Sequence, residues 1–472
     1  MNSPFKKKAL GAATLVLPIV LLSACGSGGG GAGSAQPDVV YFVGNDDTSG
    51  IELWKTDGTA AGTQLVKDIN PGAAHSGPSA LTQIGETLYF TADDGVHGEE
   101  LWKSDGTDAG TVLVEDLNGD PAGSQILRLT ESGGALFFSA VGSSVSGREL
   151  WMSDGTEAGT ILLKDINFGA GDSSPTQFTD VNGILYFRAD DGTFGTELWR
   201  SDGTFSGTFR VRDINPGAGG SVPTSLTSIQ GIVVFRANAG DGTGLELWKS
   251  DGTFAGTVMI ADIKPGTGSS TPTHMVDVNG TLFFQASDGS FGRELWKSDG
   301  TDLGTVMVKD IAAGPSHSDP SSLTHVDGTL YFSADDVTGT ELWKSDGTEA
   351  GTVLVKDINQ GASASPVSLI HVDGTLYFNA DDGLNGFELW KSDGTIPGTV
   401  MVKDLNPIGN SSPILTTFLY QNTSLLFDDG RFLFGANDGN TDYEPYISDG
   451  TAAGTRIIKD LNLFGDGFLS SN

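Results

Sequence analysis

The stretch Glu100-Leu101-Trp102-Lys103-Ser104-Asp105-Gly106-Thr107 decides how the rest of the chain is read. All eight tryptophans of the 472-residue sequence stand in the same Glu-Leu-Trp triplet: Trp54, Trp102, Trp151, Trp199, Trp248, Trp296, Trp343 and Trp390. Successive copies are 48, 49, 48, 49, 48, 47 and 47 residues apart. A ninth, degenerate copy follows after a longer gap and reads Glu444-Pro445-Tyr446-Ile447-Ser448-Asp449-Gly450-Thr451. A nearly constant period means one supersecondary unit used repeatedly.

Within one unit, counted from Thr329, four short apolar or alternating runs are separated by glycine and aspartate clusters: Leu330 to Ala334, Glu341 to Lys344, Val353 to Ile358 and Val367 to Val372. Such runs read as strands, and no stretch between them is long enough for a helix. The separators, such as Ser345-Asp346-Gly347-Thr348 and Asp373-Gly374, supply the side-chain bonds and positive φ angles that tight turns need. Four strands in fewer than fifty residues match a propeller blade. The expected fold is therefore an all-β propeller of about nine four-stranded blades, with eight blades plus a cap, or an open superhelix, as the alternatives. The first unit starts at Val39 without the strand that should precede it. The last segment, Gly467-Phe468-Leu469-Ser470, could supply that strand and remove the open edges of the sheet.

Wedge-shaped gaps between blades widen toward the rim, and one large side chain per blade would fill each of them. The tryptophans are accordingly structural: each buries on the order of 200 Å². The Asp-Gly-Thr hairpin recurs in all nine units and needs no role beyond the turn. At these residues the chain resembles the bacterial exported proteins named for their ELWxxDGT repeats, over Val39 to about Leu461. That resemblance implies little about chemistry. The ninth unit departs from the pattern at Pro445 and Tyr446.

Ahead of the repeats, residues 1–24 combine Lys6-Lys7-Lys8 with an apolar run from Ala9 to Leu22 and then Leu22-Ser23-Ala24-Cys25. This reads as a signal peptide and resembles the bacterial lipobox, which makes Cys25 the expected lipidation site. The apolar run, interrupted by Pro18, is shorter than the roughly 20 residues a spanning helix needs. Residues 25–37 form the lipidated cysteine and a Gly/Ser-rich tether with a reach of about 20 Å, and residues 38–472 form the propeller. Gly26, rather than aspartate, follows the cysteine, which by the same resemblance favours the outer membrane, leaflet open. Cys25 is the only cysteine, so no disulfide is expected to staple the fold.

The chain carries 26 basic and 60 acidic residues. Removing residues 1–24 takes away three lysines and no acid, leaving a net charge of −37. A field of that sign repels nucleic acid, and the acidic loops admit a divalent cation such as calcium as the one cofactor worth testing. Most basic residues are repeat positions: seven follow the Glu-Leu-Trp tryptophan and seven occupy the Val-Lys-Asp position.

No metalloprotease, nucleophile-elbow or P-loop motif is present. The aspartate pairs Asp46-Asp47, Asp93-Asp94, Asp190-Asp191, Asp335-Asp336 and Asp381-Asp382 recur with the repeat, as turn residues would. One position in the Leu-Thr-x-Val strand stays polar while its chemistry changes: Gln83, Glu131, Asp180, Ser228, Asp277, His325 and His371. If that strand is innermost, these side chains could line the central channel or simply be solvated. His325 and His371, on adjacent blades, are the pair to examine for a metal, although no metal site is assigned. The loops that diverge from the repeat, Val141 to Ser146 and Asn238 to Gly244, carry one acid, Asp241. On that ground the expected function is a non-catalytic scaffold, not an enzyme, anchored to the membrane by lipid and binding an envelope protein or glycan as a monomer. The alternative is a propeller enzyme acting on surface polysaccharide.

Overall fold

The structure, a computed structural model, describes residues 39–142, 146–415, 425–441, 443–462 and 468–469. The expected signal peptide, Cys25 and tether lie outside the described residues. The described chain is all β, arranged as nine antiparallel blades of a propeller. Blade 4 shows the pattern: Thr176–Val181, Ile184–Asp190, Thr196–Ser201 and Phe209–Arg212 pair in that order. The Leu-Thr-x-Val strands of consecutive blades lie side by side, which makes them innermost around the axis. In the unit first read from the sequence the strands are Thr329–Asp335, Thr340–Ser345, Val353–Lys356 and Val367–Val372. The third stops short of Ile358 because the Ile358 N–H donates to Glu341 instead of continuing the ladder.

The turns form for local reasons. Between the two inner strands of blade 4, Asn182 and Gly183 take φ of 54° and 79°, the two successive positive angles of a type I′ hairpin. In the Ser104-Asp105-Gly106-Thr107 turn, Asp105 Oδ1 accepts from the Thr107 N–H at 2.9 Å and from its hydroxyl at 2.7 Å. Gly106 sits at φ 86°, and a Cβ there would meet Tyr41 Oη, which reaches over from the preceding blade, at 2.4 Å. The third strand bulges at the tryptophan: Leu101 pairs with Glu115 but Trp102 with Leu113, an offset that raises local twist and recurs from blade 1 to blade 8.

The core is nine separate seams rather than one interior. Trp102 packs with Val43, Leu53, Val66 and Ile69 of the preceding blade, Trp248 with Tyr186, Leu198, Val211 and Ile214, and Tyr446 takes the same place against Leu389, Val402 and Leu405. Trp54 of blade 1 packs with Leu433, Ile447 and Ile458 of blade 9, so the ring is closed. Basic side chains latch each seam. Lys55 Nζ donates to Gly106 O at 2.8 Å and Lys67 Nζ to Thr111 O at 3.0 Å. Across the closing seam, Arg456 and Lys459 donate to Gly58 O and Thr63 O. Phe468–Leu469 pairs with Gly44 and Val43 as the innermost strand of blade 1, as the chain ends had suggested. In blade 9 the described strands are Phe432–Asn437, Tyr443–Ser448 and Arg456–Ile457. Its innermost position is marked by two bridges, Ile414 to Gly435 and Leu426 to Phe432, with an insertion between them that accounts for the longer gap in the repeat.

A second repeated device was not read from the sequence. The Glu of each Glu-Leu-Trp is buried, from Glu52 to Glu444, with at most 4 % of its surface exposed. Glu197 shows why. Its carboxylate accepts the N–H groups of Ile214, Asn215 and Ser221 at 3.2, 3.1 and 2.9 Å and the Ser221 hydroxyl at 2.5 Å. It thereby ties down the loop that runs from the outermost strand to the next blade. Burial pushes these carboxyls from Glu52 to Glu388 up, and the hydrogen bonds only partly counter it, so that Glu52, Glu100 and Glu341 reach about 7.

Two outcomes are expected. Deleting residues 466–472 removes the innermost strand of blade 1 and exposes its edge, so the melting temperature should fall and aggregation should appear. An unchanged melting curve would show that the Trp54 seam closes the ring unaided. The second concerns pH. A carboxyl whose pKa is higher in the folded than in the unfolded chain binds more protons when folded, so its contribution to stability is present below the ordinary value and lost as pH rises. With the ordinary value at 4.5 and the folded value near 7, the melting temperature at pH 5 should exceed that at pH 8 at equal ionic strength; the reverse order would contradict this reading of the buried glutamates.

Candidate active site

Each blade has two ends. One carries the Asp-Gly-Thr hairpins and the tight turn after the innermost strand. The other carries the start of the innermost strand, the loop between the second and third strands, and the connection tied down by the buried glutamate.

The seven variable polar positions lie at the first end, next to the tight turn. Glu131, Asp180, Asp277, His325 and His371 each accept the N–H of a glycine three residues on, at 2.8, 3.1, 2.7, 2.8 and 2.9 Å. Gln83 Nε2 donates to Gly85 O at 3.3 Å, while Ser228 is exposed. Five of the seven thus cap the turn, and their varied chemistry reflects the several side chains that can accept one N–H. His325 and His371 are both spent in this way, and His371 Nε2 also lies 3.7 Å from Asp327 Oδ1. The aspartate pairs cap their own loops: Asp93 Oδ1 accepts from Gly95 N–H at 2.7 Å, and Asp94 Oδ1 from the N–H groups of Val96 and His97 at 2.9 Å. Among the described residues no group of three or more His, Cys, Asp or Glu side chains could hold a metal ion.

The departures from the repeat that carry charge gather at the opposite end, on strand termini instead of in loops. The first residue of the third strand is Ile51 in blade 1, but Glu99 in blade 2 and Arg148 in blade 3. The position paired with the start of the innermost strand is Thr91 in blade 2, Ser139 in blade 3, Arg188 in blade 4, Arg236 in blade 5 and Gln285 in blade 6. Glu99 and Asp93 stand directly opposite each other in register, which sets their Cβ atoms about 4.5–5.5 Å apart on one face of the sheet. Burial pushes the half-buried Glu99 carboxyl above its ordinary range and the Asp93 charge adds to this, against the Thr91 hydroxyl and the Arg148 guanidinium, which oppose it. Thr91 is itself fixed by Ser79, Oγ1 to Oγ at 2.7 Å. Arg148 is held by Gln125, donating to its backbone and side-chain oxygens at 2.7 and 3.0 Å. The result is one carboxyl withdrawn from water facing another that holds a turn amide, beside a fixed cation. Two carboxyls in unlike surroundings are what acid–base chemistry requires.

No protein-family model matches the sequence, and no curated protein is significantly similar to it. Solved structures are similar in fold. A prolyl endopeptidase aligns at 10 % identity and a TM-score of 0.41 over 69 % of this chain and 49 % of its own. A puromycin hydrolase aligns at 14 % and 0.40 over 73 % and 57 %. A Mycobacterium tuberculosis puromycin-hydrolyzing peptidase aligns at 10 % and 0.37 over 82 % and 53 %. The chain spans about half the length of these structures, and the likeness concerns the fold alone. The proteins so found are peptidases and hydrolases by name, which departs from the expected non-catalytic scaffold that is not an enzyme, and that expectation is not retained. The ground on which it rested also fails. The divergent loops carry few polar residues, whereas the clustering is at strand ends that only the sheet register brings together.

Proposed function

We propose that the protein is a propeller enzyme that hydrolyses glycosidic bonds of a cell-envelope polysaccharide, with Glu99 as proton donor and Asp93 as its partner carboxylate. The observation that carries this reading is the register that sets the raised Glu99 carboxyl opposite Asp93. A glycosidase of the common type needs one carboxyl protonated near neutrality and a second one ionised on the same substrate. In the proposed reaction Glu99 gives its proton to the glycosidic oxygen as the bond to the anomeric carbon breaks. Asp93 supports the positive charge that develops there. Water then supplies the hydroxyl to the anomeric carbon, and its proton restores Glu99. Thr91 and Arg148 position Glu99 and limit how far its pKa can rise.

Removing a positioned proton donor typically costs roughly 10²–10⁴-fold in rate. Glu99→Gln and Asp93→Asn should each lower the release of reducing ends from extracted envelope polysaccharide by that factor, with melting temperature little changed. The native rate should fall as pH rises through the Glu99 pKa. Rates unaltered by either substitution, or no release by the native protein, would remove the proposal.

The site's place in the cell is a further part of the reading. Membership of the ELWxxDGT-repeat exported proteins, supported by the nine motif copies, and lipidation at Cys25, supported by Leu22-Ser23-Ala24-Cys25, would tether the ring at the outer membrane beside such a substrate. Cys25→Ser should move the protein from the membrane pellet to the soluble fraction on cell fractionation; retention of the variant in the pellet would refute the anchor.

A further inference from the structure

We propose that Arg188 and Arg236 form an anion subsite that takes the carboxylates of a uronate-bearing saccharide. The proposal rests on the hydrolase reading for calling this ligand a substrate, and on the geometry alone for the binding of an anion.

Of the basic residues outside the signal segment, those at the two repeat positions mostly latch a seam through a backbone carbonyl, as Lys55 and Lys67 do. Elsewhere Arg210, Arg293 and Arg431 pair with Asp191, Asp319 and Asp429. Arg188 and Arg236 do neither. Each uses only its Nε, which donates to Thr176 Oγ1 at 2.8 Å and to Thr224 Oγ1 at 2.6 Å. Among the described residues neither has a carboxylate within ion-pair distance. Acidic residues outnumber basic ones by more than two to one, so a counter-charge was readily to hand and is not used.

Both side chains are half-buried, and burial depresses both guanidinium pKa values, with Arg188 adding its repulsion to Arg236. Two neighbouring cations withdrawn from water without a counter-ion are costly to the folded chain. The hydrogen bond they make does not require a charge. In blade 6 the same position is Gln285, whose Oε1 accepts from Thr273 Oγ1 at 2.8 Å, and in blade 2 Thr91 bonds Ser79 at 2.7 Å. In blades 2 and 6, where the guanidinium is absent, a neutral side chain makes the bond to the inner strand instead. The surplus in blades 4 and 5 is two forks of Nη donors, the group that recognises carboxylates in a bidentate manner. Their blades follow directly on blade 3, which bears Arg148, at the end of the propeller where Glu99 faces Asp93.

Gln285 also indicates the substitution least damaging to the fold. Titration calorimetry on the full chain carrying Glu99→Gln, which would not consume the probe, should show trigalacturonate binding at least tenfold tighter than neutral maltotriose. Adding Arg188→Gln or Arg236→Gln should each weaken trigalacturonate binding at least tenfold and leave maltotriose unaffected. Because each change relieves an uncompensated charge, the melting temperature should hold or rise, whereas a purely structural arginine would lower it. Unchanged affinity in both arginine variants, or no trigalacturonate binding at all, would overturn the subsite. Inorganic phosphate binding in place of trigalacturonate, and lost in the same variants, would overturn its assignment to a uronate. Binding that follows the arginines, together with native protein that cleaves nothing, would leave the subsite standing and the hydrolase reading refuted.

Discussion

Everything in this molecule depends on the contact between one tryptophan and the blade before it. A blade alone is a four-stranded sheet with two apolar faces, and it has no interior of its own. The indole at the bulge of the third strand, or Tyr446 in blade 9, fills the gap to its neighbour, and the nine seams so made are the core of the described residues. The side chain is there for its volume. Seven of the eight indole N–H groups are buried with no acceptor among the described residues, an omission that ordinarily costs about 1–3 kcal/mol for a buried donor. A repeat that accepts this cost at seven seams gains more from filling the wedge than it loses from the unpaired donor.

Closure follows from the same contact. If each blade needs the one before it, the first blade needs the last. The structure answers with Trp54 on blade 9, two basic latches onto the turn of blade 1, and two residues of the C-terminal segment completing blade 1 at its inner edge. Contacts between residues almost 400 positions apart therefore belong to the same class as contacts 50 apart. The ring is in this sense one-dimensional, each part held by its neighbours, and its first and last blades are neighbours too.

What could be read from the sequence was whatever the period carries. Strand number, the turn at Asp105-Gly106, the place of the tryptophans and the role of Phe468–Leu469 all follow from comparing one unit with the next. Side chains whose surroundings come from register could not be read this way. Glu197 looks like a surface residue at the head of a strand, and only the returning loop shows that three amides converge on it. Asp180 and His371 look alike as variable inner-strand residues, and only the turn geometry shows that both are caps. Glu99 is masked by the invariant Glu100 beside it. Arg188 and Arg236 are 48 residues apart in the chain, and they become neighbours only because their inner strands lie side by side.

The end of the ring that carries the departures is also held by side-chain hydrogen bonds to its loops. There the buried glutamates hold the interblade loops through amides from Ile69 and Ser76 onward around the ring, and the aspartate pairs hold the loops between the second and third strands. A site is most useful where its own residues need not be ordered on binding. Glu99, Arg148, Arg188 and Arg236 stand on strands, at positions that most other units fill with an uncharged side chain. The repeat supplies the frame, and it is broken at positions on the face opposite each blade's own tryptophan. A fold made of nine equivalent units can in this way concentrate unlike chemistry in one arc of blades without losing closure.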